Sequence, residues 1–258
     1  MEDKKVAHLL WTGGLDSTYR MVELSRQDCV VQSHYVSIDR KKAPNVNWRK
    51  SRDQEIKAIH AITELLQRNP NTKATILSPI IAEAKDVPEY EDILDAFFFL
   101  HDEIHLNTTQ YALLACYARQ HNLKMEMGIR FSQHGLGRVI APSSLTTYSG
   151  YDDVVTMMDT APQQGKFEQA VYTLFHDFLF PKSLAQKQKR DEAEALKQWG
   201  YEDVLKKVWF CFTPVFGMPC GHCGPCRSAK REGIGYMIPF IGNFCGAIRN
   251  KLDGGKRR

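Results

Sequence analysis

Residues Lys5 to Trp11, KVAHLLW, form an apolar run of strand length. It ends in Thr12-Gly13-Gly14-Leu15-Asp16-Ser17-Thr18, with a helix expected from Ser17 onward. A strand, a glycine turn and a helix in that order restrict the chain to folds built from βα units, where ligands sit beyond the carboxyl ends of the strands. The adjacent glycines permit a tight turn in which consecutive N–H groups face one anion, reinforced by the positive end of the helix. Ser17 and Thr12 add hydroxyl donors for phosphate oxygens. A bare phosphate would repel Asp16, so its presence predicts a bound Mg²⁺. Two other phosphate motifs are absent. No Lys follows the glycines as in G-x-x-x-x-G-K-[ST], and the nearest approach to G-x-G-x-x-G, Gly135-Leu136-Gly137, lacks its third glycine.

The remaining periodicities alternate. Val30 to Ile38 reads as a strand, and Asp39 then opens a polar loop holding Lys41, Lys42, Pro44 and Asn45. Arg52 to Arg68 carries Ile56, Ile59, Ile62, Leu65 and Leu66 at helical spacing, and Lys73 to Leu77 reads as a short strand. Asn107, with Gln110 three residues on, is a predicted N-cap for a helix through Tyr111, Leu114 and Tyr117. Lys124 to Ile129 reads as a strand, and Phe167 to Phe180 and Arg190 to Trp199 as helices, the last stopped by Gly200. The pattern predicts an α/β fold with a doubly wound parallel sheet over residues 1–204, followed by a separate segment over 205–258 that is rich in Cys, Gly and Pro and ends in a basic tail.

Composition excludes several classes. The 258 residues are 43% hydrophobic with a net charge of +4, which is globular composition and too weak a charge to imply nucleic acid. The apolar clusters, such as Ala96 to Leu100, stop far short of the ~20 residues needed to span a bilayer. The MEDKK start, with two acids in its first three residues, lacks the basic beginning and apolar core of a secretory signal, so a cytoplasmic protein is expected. In that compartment the seven cysteines predict no disulfides.

Four of those cysteines crowd into one segment, Cys211-x8-Cys220-x2-Cys223-x2-Cys226. Four thiolates close a tetrahedral zinc site of the structural type with no open position. An iron–sulfur run C-x2-C-x2-C-x3-C would need a cysteine where Lys230 stands. His222 lies inside the cluster as a neighbour rather than a ligand.

The loop resembles the PP-loop pyrophosphatase superfamily, whose signature S-G-G-x-D-S is kept here with Thr12 for the first Ser. Together with the cysteine spacing, it resembles the QueC family of 7-cyano-7-deazaguanine synthases. That family's W-x-C-Y and C-G-x-C-x-x-C-basic motifs read here as Trp209-Phe210-Cys211-Phe212 and Cys220-Gly221-His222-Cys223-Gly224-Pro225-Cys226-Arg227. Its S-G-Y-P-D-C-R segment is matched in part by Ser149-Gly150-Tyr151-Asp152-Asp153, its R-N pair by Asn107 alone, and its lysine by Lys189, with Lys187 as the fallback. After Asp39 the family continues Y-G-Q, whereas this chain inserts a basic, Asn-rich loop.

The resemblance implies an AMP-forming carbon–nitrogen ligase of Rossmann-like fold using ATP, Mg²⁺ and a structural Zn²⁺. Trp11, Thr12, Gly13, Gly14, Leu15, Asp16, Ser17, Thr18, Tyr19 and Asp39 would bind the nucleotide. Asp16, Ser17, Lys189 and Arg227 would serve catalysis, and Asn107, Gly150, Tyr151 and Asp153 the substrate base. The implied reaction adenylylates 7-carboxy-7-deazaguanine and passes the acyl group to ammonia, giving the amide and then the nitrile (preQ0) of queuosine biosynthesis. One alternative is a QueC-like antiphage enzyme of CBASS-type loci that conjugates a deazaguanine to a protein amine. Another is a PP-loop tRNA-modifying enzyme. A homodimer is the family expectation.

Three further signals are read as structural. His101 and His105 stand four apart, but Asp102 occupies the place where a zincin requires Glu, so solvated helix-end histidines are expected. Cys116 is expected in the core, and Phe97 to Phe99 in the core or at a dimer contact.

Overall fold

A computed structural model describes residues 4–37, 50–106, 108–131 and 136–252. In chain order the strands are β1 (Val6–Leu10), β2 (Val30–Ser37), β3 (Thr75–Ile76), β4 (Ile80–Glu83), β5 (Met125–Met127), β6 (Leu145–Tyr148), β7 (Tyr151–Met157) and β8 (Phe178–Pro181). The helices are α1 (Leu15–Ser25), α2 (Arg52–Arg68), α3 (Glu91–Ile104), α4 (Gln110–His121), α5 (Gly137–Ile140), α6 (Lys166–Phe175), α7 (Lys189–Gln198), α8 (Glu202–Leu205), α9 (Gly224–Arg231) and α10 (Phe240–Leu252). By their contacts the residues group into two compact units that interleave along the chain. The first takes 1–11, 28–48 and 77–187, and the second takes 12–27, 49–76 and 188–258.

The first unit is built on a mostly parallel sheet in which β4, β2, β1, β5 and β8 are joined by parallel pairing, for example Leu9 with Ser33 and Glu126 with Leu179. Beyond β8 the sheet departs from the all-parallel expectation, because β7 pairs antiparallel with β8 and β6 antiparallel with β7. The cause is local. Only Ser149 and Gly150 join β6 to β7, with Gly150 at φ +78°, and so short a connection can make only a hairpin, whereas parallel neighbours need a crossover of a dozen residues or more.

The helix expected over Phe167 to Phe180 ends at Phe175 instead. Phe178-Leu179-Phe180 becomes the strand β8, buried on both faces, and such a continuous apolar run reads equally as helix or as covered strand. Asp177 marks the break, accepting the Met125 N–H at its backbone carbonyl and the Lys124 ammonium at its carboxylate. Phe97 and Leu100 of α3, Ala115 and Cys116 of α4, and Phe175 of α6 share one apolar core with β5 and β8. Cys116 is thus core as expected, and of the phenylalanine triplet Phe97 is buried while Phe98 is 57% exposed.

In the second unit α1 and α7 pack through the Tyr19 and Trp199 rings, whose centroids are 5.3 Å apart. Gly200 ends α7 at φ +82°, where any Cβ would press 2.5 Å from the Asn71 amide that bonds the Trp199 carbonyl. No helix among the described residues is long and apolar enough to cross a membrane, and none of the seven cysteines is in a disulfide.

Candidate nucleotide loop and metal centre

In the second unit Gly13 adopts φ +72° and Gly14 becomes the N-cap of α1. The first condition needs glycine. A Cβ on Gly13 would lie in the left-handed region and 3.2 Å from the Ala58 Cβ. No side chain caps α1, so its first-turn N–H groups are not covered by a residue at Gly14. The Ser17 hydroxyl donates to the Gly14 carbonyl at 3.3 Å, and the Thr12 Oγ1 lies 3.4 Å from where a Gly14 Cβ would be. The Gly13 carbonyl accepts the Trp209 N–H at 2.8 Å, which ties the loop to the segment that leads into Cys211.

Asp16, in the first turn of α1, is bonded through both carboxylate oxygens to Lys189 Nζ at 2.8 Å, with the two side chains only 30% and 12% exposed. Lys189 opens α7, which a reciprocal capping box between Gln188 and Asp191 holds in place. Of the other nucleotide candidates in this unit, Leu15, Thr18 and Tyr19 have buried side chains. Burial first, then the Glu23 carboxylate, pushes the Tyr19 hydroxyl above the ordinary phenol range.

The first unit holds Trp11, buried, with its N–H donating to the His34 carbonyl at 2.8 Å. It also holds the β6–β7 hairpin with Gly150, Tyr151 and Asp153. Lys5 Nζ stands 3.8 Å over the Tyr151 ring and 3.6 Å from the Asp153 carboxylate, and burial raises the Tyr151 hydroxyl pKa. Asp39 and Asn107 lie outside the described residues. Thr109 occupies the N-cap of α4.

The four cysteines converge as predicted. The sulfurs of Cys211, Cys220, Cys223 and Cys226 lie within 4.8 Å of one another, and three of the four residues are buried. Zinc at ~2.3 Å from each sulfur sets the sulfurs about 3.8 Å apart, so the cluster has the size and the donor chemistry of a closed site. The backbone fits the same purpose. Gly221 at φ +73° turns the chain so that the N–H groups of His222 and Cys223 both point at Cys220 Sγ, at 3.4 and 3.3 Å, and the Cys220 N–H points at Cys211 Sγ at 3.3 Å. Four such thiols share protons unequally. Hydrogen bonding from Cys211, then from Cys223 and Cys226, holds the Cys220 thiol well below the ordinary range. Cys211 also brings Cys223 down to about 6. A divalent cation would allow all four to ionise.

Sequence reasoning missed what braces this cluster. On α10 Gly242 and Gly246 stand four apart and lie against the turn. A Cβ on Gly242 would come within 2.5 Å of the Pro219 carbonyl oxygen, and one on Gly246 would overlap the Cys220 carbonyl oxygen. His222 Nε2 bonds the Asn243 carbonyl at 2.9 Å, and Arg249 donates to the Thr213 and Pro214 carbonyls. The only signal available was the Gly-x-x-x-Gly spacing itself. Arg227, on α9, donates to the His222 carbonyl at 2.6 Å. His101 and His105 are exposed at the end of α3, and among the described residues the cysteines are the group of metal-binding type.

Fold and site together define an α/β protein with a mostly parallel, Rossmann-like sheet and a four-cysteine cluster able to hold a metal ion such as zinc. No protein-family model matches the chain, and no curated protein matches it.

Proposed function

We propose that the chain is a QueC-like, AMP-forming carbon–nitrogen ligase of the PP-loop type. In this reading a carboxylate oxygen of 7-carboxy-7-deazaguanine attacks the α-phosphorus of ATP and pyrophosphate leaves. Ammonia then adds to the acyl carbon and AMP departs with the oxygen, giving the amide. A second adenylylation on the amide oxygen, followed by loss of AMP and protons, gives the nitrile. Attaching AMP turns a poor oxide leaving group into a good one.

The observation that carries the reading is the Asp16–Lys189 pair at the first turn of α1, directly after the Gly13-Gly14 turn. The uncapped first turn of α1 and the Ser17 hydroxyl supply donors for phosphate oxygens. Asp16 fits Mg²⁺ as a hard oxygen donor, and the ion supplies neutralisation of phosphate charge. Lys189 holds an ammonium where negative charge develops on the departing pyrophosphate. The cysteine cluster plays a structural part, fixing Trp209 and, through it, the Gly13 carbonyl. A second reading keeps the adenylylation and takes a protein amine as nucleophile. The departures from the family pattern after Asp39 and in the Tyr151 segment favour it, because a macromolecular acceptor would call for changes of this kind.

The test incubates the purified protein with Mg·ATP, 7-carboxy-7-deazaguanine and ammonium and follows AMP and deazaguanine products by mass spectrometry. AMP with nitrile supports the synthase. AMP with the product stopped at adenylate or amide supports the protein acceptor, and no AMP overturns both.

A further inference from the structure

The second unit contains an open cleft of about 680 Å³ that the reaction above does not use. Its floor is apolar, formed by Ala58 of α2, Leu205, Val208, Trp209 and Met237. Around it stand Lys57, Lys197 and Lys207, all exposed, and among the described residues none of the three enters an ion pair. Lys206 is already neutralised by Glu202 and Asp203 at 3.5 and 3.1 Å. Gln54 contributes an amide whose Oε1 is buried without a hydrogen-bond partner, so one wall group has bonding capacity left for the main chain of an occupant.

We infer that this cleft docks an acidic peptide segment of a partner protein, with apolar side chains on the floor and carboxylates at the lysine rim. Charge complementarity selects the occupant. Residues 38–49 and 253–258 of this chain do not suit it, since the first carry Arg40, Lys41, Lys42 and Arg49 against Asp39, and the second Lys256, Arg257 and Arg258 against Asp253. A nucleic-acid strand suits it less well than a peptide. Its phosphates would pair with the lysines but leave most of the apolar floor of Ala58, Leu205, Val208 and Met237 uncovered, whereas a peptide supplies side chains of both kinds. The floor is one layer from the phosphate loop: Ala58 lies against Gly13, and the Trp209 N–H bonds the Gly13 carbonyl. A docked segment is therefore held beside the loop, whatever reaction the loop serves.

The test is fluorescence anisotropy with a fluorescein-labelled decapeptide alternating glutamate with leucine. Three comparison probes accompany it: peptides alternating lysine with leucine and glutamate with serine, and a labelled oligouridine. The expected result is salt-sensitive binding of the glutamate–leucine peptide only, weakened about tenfold or more in the Lys57→Glu/Lys207→Glu double variant. Binding should be unchanged in Asp16→Ala, so failure here is separable from failure of the ligase reading. No anisotropy change, equal binding by the double variant, or tighter binding of the oligouridine overturns the inference.

Discussion

Lys189 Nζ lies 2.8 Å from both carboxylate oxygens of Asp16, a contact between residues 173 positions apart that joins the first turns of α1 and α7. A partly buried, bidentate pair of this kind fixes both side chains at the mouth of the glycine turn. In the proposed ligase, Asp16→Ala is expected to abolish AMP formation, and Lys189→Ala to lower kcat about 100-fold or more. Single-turnover AMP release from radiolabelled ATP measures both, and a Lys189→Ala enzyme with wild-type kcat would remove Lys189 from catalysis.

The cysteine cluster is expected to hold one zinc per chain. Cys220→Ser should reduce bound zinc to a small fraction and lower the melting temperature. A strong chelator should lower the melting temperature of the native protein, since structural zinc contributes about 10 kcal/mol or more to folding a closed site. Metal analysis by mass spectrometry with parallel thermal melts checks this, and iron in place of zinc would correct the metal.

Gly246 is expected to tolerate no side chain. A methyl group there overlaps the Cys220 carbonyl oxygen, which is backbone and cannot swing away, so Gly246→Ala should cost about 3 kcal/mol or more and loosen the metal site. Gly217, at φ +74° but with open space around it, is the control, where alanine should cost about 1 kcal/mol from the backbone alone. Chemical denaturation of both variants decides; similar losses would mean that α10 can move.

His34 gives a pH dependence. It is buried between His8 and Tyr117, with 3.0 Å bonds from its ring nitrogens to His8 Nδ1 and the Tyr117 hydroxyl. Burial first, then His8 and His121, lowers its pKa to about 4 from 6.5. The unfolded chain therefore binds a proton that the folded chain refuses. The stability is fully present above pH 6.5 and is lost as pH falls towards 4, by about 3 kcal/mol. Denaturation midpoints between pH 7 and 4 should fall steeply in the native protein and less steeply in His34→Gln.

The elements read from periodicity survived where one signal dominated. The helix at Arg52–Arg68 coincides with its apolar spacing, and Gly200 stops α7 as a left-handed residue should. Phe178 to Phe180 misled because an apolar run without alternation carries no period. The β6–β7 hairpin was hidden because Thr146, Thr147 and Asp152 break its alternation, and its turn lies in a segment read for chemistry.

The sequence alone determined the glycine turn, the strand and helix that flank it, and the four thiolates, because each depends on neighbours a few residues away through backbone freedom, hydrogen-bond period or ligand spacing. Only the tertiary structure decided that Asp16 meets Lys189, that Gly242 and Gly246 press on the cysteine turn, and that lysines from α2, α7 and the segment after α8 rim one apolar cleft. Those contacts join segments separated by up to 173 residues, and their partners are chosen by shape and charge in space, which no local pattern along the chain records.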